Sequence, residues 1–215
     1  MRPFALAALL TALSSWAAPP IDIGISTGAL VVQARSYDFV DDDDHLGLWR
    51  VETSWTKEAW RGQLQLGLGG FSGATKAAAH QTLSADLWLR GIEASATYRY
   101  PALRWLEPYA RAAVALEWAT LSVLAGQRLE QTALAPVGSG LLGVDVVVPL
   151  AGAARRALVL DLGVGYAVRS AYQFDELKAP SPAKPGPEDI PRSGVPLGAL
   201  QLSGITYRIG VALRL

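Results

Sequence analysis

Apolar and polar residues alternate at every second position over most of the chain. Near its C-terminal end Ile205, Tyr207, Ile209, Val211, Leu213 and Leu215 are interleaved with Thr206, Arg208, Gly210, Ala212 and Arg214. That is the period of a β-strand whose two faces meet unlike surroundings. Seven earlier runs share the rhythm, at about 21–35, 46–56, 62–71, 84–100, 108–123, 137–148 and 157–172, and the last covers about 197–215. In the second, Trp49, Val51, Thr53 and Trp55 oppose Arg50, Glu52 and Ser54; in the seventh, Leu158, Leu160, Leu162, Val164 and Tyr166 oppose Asp161, Gly163 and Gly165. The alanines of the fifth run also suit a helix opened by Pro108. The pattern as a whole predicts an all-β chain of eight antiparallel strands.

The links between runs alternate in length. Those after the first, third, fifth and seventh runs span roughly ten residues or more, and those after the second, fourth and sixth are shorter. An up-and-down meander with long loops at one rim and tight turns at the other produces this rhythm. The longest link contains "KAPSPAKPGPEDIPRSGVP", too rich in proline for helix or sheet and therefore expected as an exposed loop.

The chemistry of the two faces decides what surrounds the sheet. One face is almost wholly Leu, Val, Ile, Ala and aromatic; the other carries Gly, Ala, Ser, Thr and scattered charges. A soluble lipocalin-like barrel turns its apolar face inward, whereas a membrane barrel turns it outward. Lysine is nearly absent from all eight runs, unlike an ordinary water-facing surface. Trp49, Trp55, Trp60, Trp88, Tyr98, Tyr100, Trp105, Tyr109 and Trp118 fall near strand ends, where interfacial girdles are expected. With the first strand starting at the periplasmic rim, Asp22, Arg99, Arg111, Asp145, Asp161 and Arg208 reach similar depth on the inward face. Buried charges persist when paired, so these six are expected to form a network plugging the lower barrel. Arg50, Glu52, Glu93, Glu117 and Arg169 form a second group higher up.

Composition narrows the partners and the compartment. Hydrophobic residues make up 51% of the 215 residues and charged ones 18%, an apolar chain but not a disordered one. The opening "MRPFALAALLTALSSWAAPP" has a basic start, a short apolar run and small residues before the join. It predicts a cleavable signal peptide over 1–17 and a barrel domain over 18–215, the apolar run being too short to span a bilayer. Cysteine is absent, which excludes disulfides and thiolate chemistry from the exported domain. There are 19 basic and 19 acidic residues, so loss of Arg2 with the signal leaves a nearly neutral chain and argues against a nucleic-acid partner.

A cleavable signal, eight alternating strands and a closing strand of spaced apolar residues together resemble the small eight-stranded outer-membrane β-barrels of diderm bacteria. The resemblance covers about residues 20–215 and is one of pattern. It implies a transmembrane β-barrel in the cell outer membrane, a monomer in contact with outer-membrane lipid and lipopolysaccharide. It also implies biogenesis through the barrel-assembly machinery, which in this family reads a terminal strand usually ending in Phe, where this chain has Leu215. Some family members are lipid-modifying enzymes with His and Ser near the outer rim. His45 and His80, the two histidines, are expected in outer loops and match no such arrangement, so neither catalysis nor a cofactor is expected. The outer loops then carry a structural or adhesive role.

Two local motifs keep other readings open. Asp41, Asp42, Asp43 and Asp44 are candidate oxygen ligands for Ca²⁺ or for divalent-loaded lipopolysaccharide, although consecutive acids also form solvated loop tips. "GLW" at Gly47 to Trp49 is similar to the Gly-x-Trp of lipocalins, whose Trp closes the calyx. It supports the alternative of an exported soluble barrel holding a small hydrophobic ligand.

Overall fold

The computed structural model describes residues 20–33, 45–79, 83–125, 127–150, 156–177 and 195–215. The expected signal peptide, the acidic run Asp41 to Asp44 and His80 lie outside the described residues.

Among the described residues ten strands follow one another: β1 (Ile21–Val32), β2 (His45–Ala59), β3 (Gly62–Ala79), β4 (Leu83–Arg99), β5 (Leu106–Ala125), β6 (Gln127–Pro149), β7 (Ala157–Arg169), β8 (Tyr172–Leu177), β9 (Val195–Leu200) and β10 (Gly204–Arg214). Eight of them close an antiparallel barrel in the order β1-β10-β7-β6-β5-β4-β3-β2, and β8 and β9 form a separate two-stranded ribbon. The alanine-rich fifth run is strand, not helix. Closure joins β1 to β10 from Asp22 opposite Arg214 to Val32 opposite Gly204, so the barrel has no free edge.

Alternation then sorts the side chains. Ile21, Ile23 and Ile25 point out while Asp22 and Ser26 are buried; Leu158, Leu160, Leu162 and Val164 point out while Asp161 is buried. Val114 and Leu142 are each 67% exposed, whereas Glu117 is 0% and Asp145 1% exposed. A wall that is apolar outside and charged inside inverts the order of a water-soluble barrel, and it is stable where hydrocarbon surrounds it. Trp49 stands 61% exposed on this outer wall, so it closes no calyx. Trp55, Trp88, Trp105, Trp118 and Tyr100 are exposed with it. Tyr109 is the exception: it shares the parity of Arg111 and is buried in the lumen. Nearness to a strand end suggested a girdle position, but the two-residue period overrules it.

At one rim β2 turns into β3 through Trp60 and Arg61 alone, with Ala59 paired to Gly62. Trp60 takes a left-handed backbone (φ 50°), unusual for a bulky residue. Its ring lies 6.2 Å from that of Tyr98. The opposite rim departs from the expected loops. The ladder between β3 and β4 runs on to Ala79 opposite Leu83, and that between β5 and β6 to Ala125 opposite Gln127. Both links are therefore mostly strand. Apart from Lys76, small residues occupy both faces of "SGATKAAA", so it has no apolar contrast to betray it. The last two expected strands also divide, β7 from β8 and β9 from β10, and the ribbon β8–β9 folds towards the mouth of the barrel. Tyr172, Phe174 and Leu200 of the ribbon, with Leu202 just after it, pack into one buried cluster with Leu30, Leu46, Leu48, Phe71, Leu87, Leu89 and Leu121.

An arginine on the outer wall is expected to be costly. Leu162→Arg, near the middle of β7, should lower stability by about 2–4 kcal/mol in lipid vesicles, as read by urea unfolding.

Candidate functional site

The lumen brings together charged side chains from seven of the eight barrel strands, β3 contributing the polar Gln65. At the rim where β1 begins and β10 ends, Arg99 lies between two carboxylates, 2.9 Å from Asp22 and 2.6 Å from Asp145. Asp22 also accepts a hydrogen bond from Gln65 Nε2 at 3.0 Å and lies 3.4 Å from Arg214 Nε. Arg214 in turn donates through both terminal nitrogens to Glu107, at 3.2 and 3.0 Å. Asp145 and Asp161 stand directly opposite each other across β6 and β7. Two like charges in that position repel, and each has its own guanidinium, Arg99 for the first and Arg208 at 2.5 Å for the second.

One layer further in, Arg111 makes a two-pronged contact with Glu52, both bonds at 2.8 Å, and reaches Glu93 at 2.5 Å. This planar fork suits a guanidinium and not an ammonium, in keeping with the absence of lysine from the buried polar set among the described residues. Arg208 links the layers, since it contacts Glu52 at 3.4 Å as well as Asp161. Arg50 approaches Glu93 at 3.8 Å. Tyr109 donates to Asp161 at 2.5 Å. Its ring lies across Gly143 and Gly163, where a Cβ would come within 2.5 Å of its hydroxyl. Those two glycines make the room that the tyrosine fills.

Above these layers sits a third group. Arg169 donates to Glu117 at 3.0 Å and to the Leu202 carbonyl at 3.1 Å, and Tyr172 donates to the same carboxylate. Glu117 is thus the joint between barrel and ribbon. Beyond it the inward positions turn apolar, in the cluster around Leu46, Leu87 and Tyr172.

Asp22, Arg99, Arg111, Asp145, Asp161 and Arg208 all face the lumen, and each contacts an oppositely charged side chain. They do not form one closed set of six, because Glu52, Glu93, Glu107 and Arg214 complete it. Glu52 and Glu93, read from sequence as part of a higher group, bind Arg111 and so belong to the same body. Arg214 and Glu107 were within reach of the pattern, since they share the parity of Arg208 and Arg111. Tyr172 was not, because it depends on the bend after β7. His45 is exposed as the first residue of β2 rather than in a loop. Among the described residues no group of three or more His, Cys, Asp or Glu side chains is arranged to hold a metal ion.

A closed eight-stranded wall, apolar outside and ion-paired within, defines a transmembrane β-barrel of the outer-membrane type. No family model matches the chain, and no curated protein matches it in sequence. Solved structures similar to it include Ail, the attachment invasion locus protein of Yersinia pestis, at 10% identity and a TM-score of 0.49 over 92% of this chain and 99% of that one. Neisserial surface protein A aligns at 14% identity and a TM-score of 0.49 over 91% of this chain and 95% of the other. The N-terminal barrel domain of Pseudomonas aeruginosa OprF aligns at 10% identity and 0.45, covering 92% and 98%.

Removal of Arg99 strands Asp145 and leaves Asp22 with only Gln65 and the more distant Arg214. Arg99→Leu should cost about 3–5 kcal/mol in urea unfolding from vesicles, with part recovered by adding Asp145→Asn. Tyr172→Phe leaves Glu117 paired to Arg169 but frees the ribbon from it. The expected loss of about 1–3 kcal/mol should appear as faster amide exchange in 172–177 and 195–200, with barrel strands unchanged.

Proposed function

We propose that this chain is a monomeric outer-membrane protein with a sealed lumen, whose role is structural or adhesive through its outer rim. The observation that carries the reading is the filling of the lumen by two different means. Ion pairs cross its lower part, and the ribbon packs against apolar side chains in its upper part. A cavity of about 40 Å³ lies among the lower ion pairs, room for a few waters rather than for a solute stream. The start of β1, the end of β10 and tight turns at one rim, with longer strands and the ribbon at the other, match the periplasmic and outer sides of such barrels. The first 17 residues act as the export signal, and the barrel-assembly machinery places the strands in a membrane of lipid and lipopolysaccharide.

The lumenal acids and bases are committed to one another, which supports a role without catalysis. In the lipocalin-like alternative an open apolar chamber receives the ligand; here the apolar part of the lumen holds the chain's own Tyr172, Phe174 and Leu202. Reconstitution in planar bilayers tests the sealed lumen. The purified protein should leave the bilayer at baseline current, and sustained conductance comparable to a general porin would refute the reading.

A further inference from the structure

Arg90 is a charged side chain on the wrong side of the barrel. It is exposed on the outer wall, in a row where Trp49 pairs with Ser72, Ser72 with Arg90 and Arg90 with Trp118. Its guanidinium lies 5.8 Å from the ring of Trp88, two residues along the same strand. Among the described residues no carboxylate pairs with it. A lipid-facing arginine is costly at the bilayer midplane and tolerated near the interface, and the surrounding tryptophans put this one at interfacial depth. A positive group there meets the headgroup layer, whose anions are phosphates.

The wall beneath it is dented. In the adjoining row Val51 pairs with Gly70 and Gly70 with Ile92, so a missing side chain separates two large apolar ones. A Cβ at Gly70 would meet only the Gly91 carbonyl, at 3.6 Å. The dent opens into a groove of about 790 Å³ that reaches Arg90, Trp49 and Trp118. The groove also reaches Thr120 and Thr132, whose hydroxyl oxygens lie 2.9 Å apart. In that pair one hydroxyl donates to the other, which leaves the second proton for a ligand oxygen.

We propose that this groove binds one phosphorylated lipid of the outer leaflet, Arg90 holding the phosphate and the dent at Gly70 taking an acyl chain. Phosphate fits the planar guanidinium fork through two parallel hydrogen bonds. The hydroxyls of Thr120 and Thr132 supply a further donor, and the tryptophans flank the headgroup. The site rests on the membrane-spanning reading of the barrel.

Native mass spectrometry of the full-length protein released from detergent micelles tests it, with bisphosphorylated lipid A and its dephosphorylated form as probes. Wild type should carry a one-to-one adduct of the phosphorylated lipid, and R90Q should lower its affinity roughly tenfold. The dephosphorylated lipid should bind wild type and R90Q alike. R156Q, at the opposite rim, should match wild type, and G70L should weaken both lipids. Equal adducts of the phosphorylated lipid on wild type and R90Q would overturn the phosphate site, and an unaffected G70L would overturn the acyl slot. Heat-modifiable gel migration establishes that each variant is folded. Failure of the membrane reading shows separately, as solubility without detergent before any lipid is added.

Discussion

Everything in this barrel depends on the seam between β1 and β10. Hydrocarbon offers no hydrogen-bond partner, so an unpaired strand edge in a bilayer would leave a row of unsatisfied amides. The eleven residue pairs from Asp22 with Arg214 to Val32 with Gly204 remove that edge. They also set the phase of the wall. Because register and parity are linked, a seam shifted by one residue would send Asp22 inward but Arg208 and Arg214 into lipid. Backbone pairing and charge pairing therefore select the same closure.

Inside that wall the lumen behaves as two different media. Near the start of β1 and the end of β10 it is a layered arrangement of guanidiniums and carboxylates, in which repulsion between Asp145 and Asp161 is answered by one arginine each. Towards the other rim it is a hydrophobic core of the kind found in soluble proteins, completed by a ribbon that is not part of the wall. Glu117 marks the change of medium: it accepts from Arg169 on the polar side and from Tyr172 on the apolar side. Breaking a buried pair costs far more than its formation contributes. Such a lumen is better suited to fixing one arrangement than to switching between several.

Much of this was legible in the sequence because the two-residue period reports directly on which way a side chain faces. Eight strands, their order and the inward direction of Asp22, Arg99, Arg111, Asp145, Asp161 and Arg208 follow from it. The partners within the lumen do not, since barrel tilt decides that Arg111 meets Glu52 across 59 residues as well as the nearer Glu93. Tyr109 was misread where position along the strand was weighed above parity. The extensions of β3 and β6 lacked contrast between their faces. The ribbon was hidden for a different reason: Tyr172 and Phe174 continue the rhythm of β7, and only the bend at Ser170 and Ala171 takes them out of the wall.

The span of the ion pairs bears on how such a chain can enter a bilayer. Asp22 meets Arg99 across 77 residues, Glu107 meets Arg214 across 107, and Glu52 meets Arg208 across 156. Strands threaded one after another would present Asp22 unneutralised until β4 arrived, and Glu52 and Glu107 without Arg208 and Arg214 until β10 arrived, each charge disfavouring the partial sheet in acyl chains. Such a lumen favours entry of the barrel as a unit over entry strand by strand. The same charges that quiet the finished interior therefore weigh against an incomplete or slipped barrel in the bilayer.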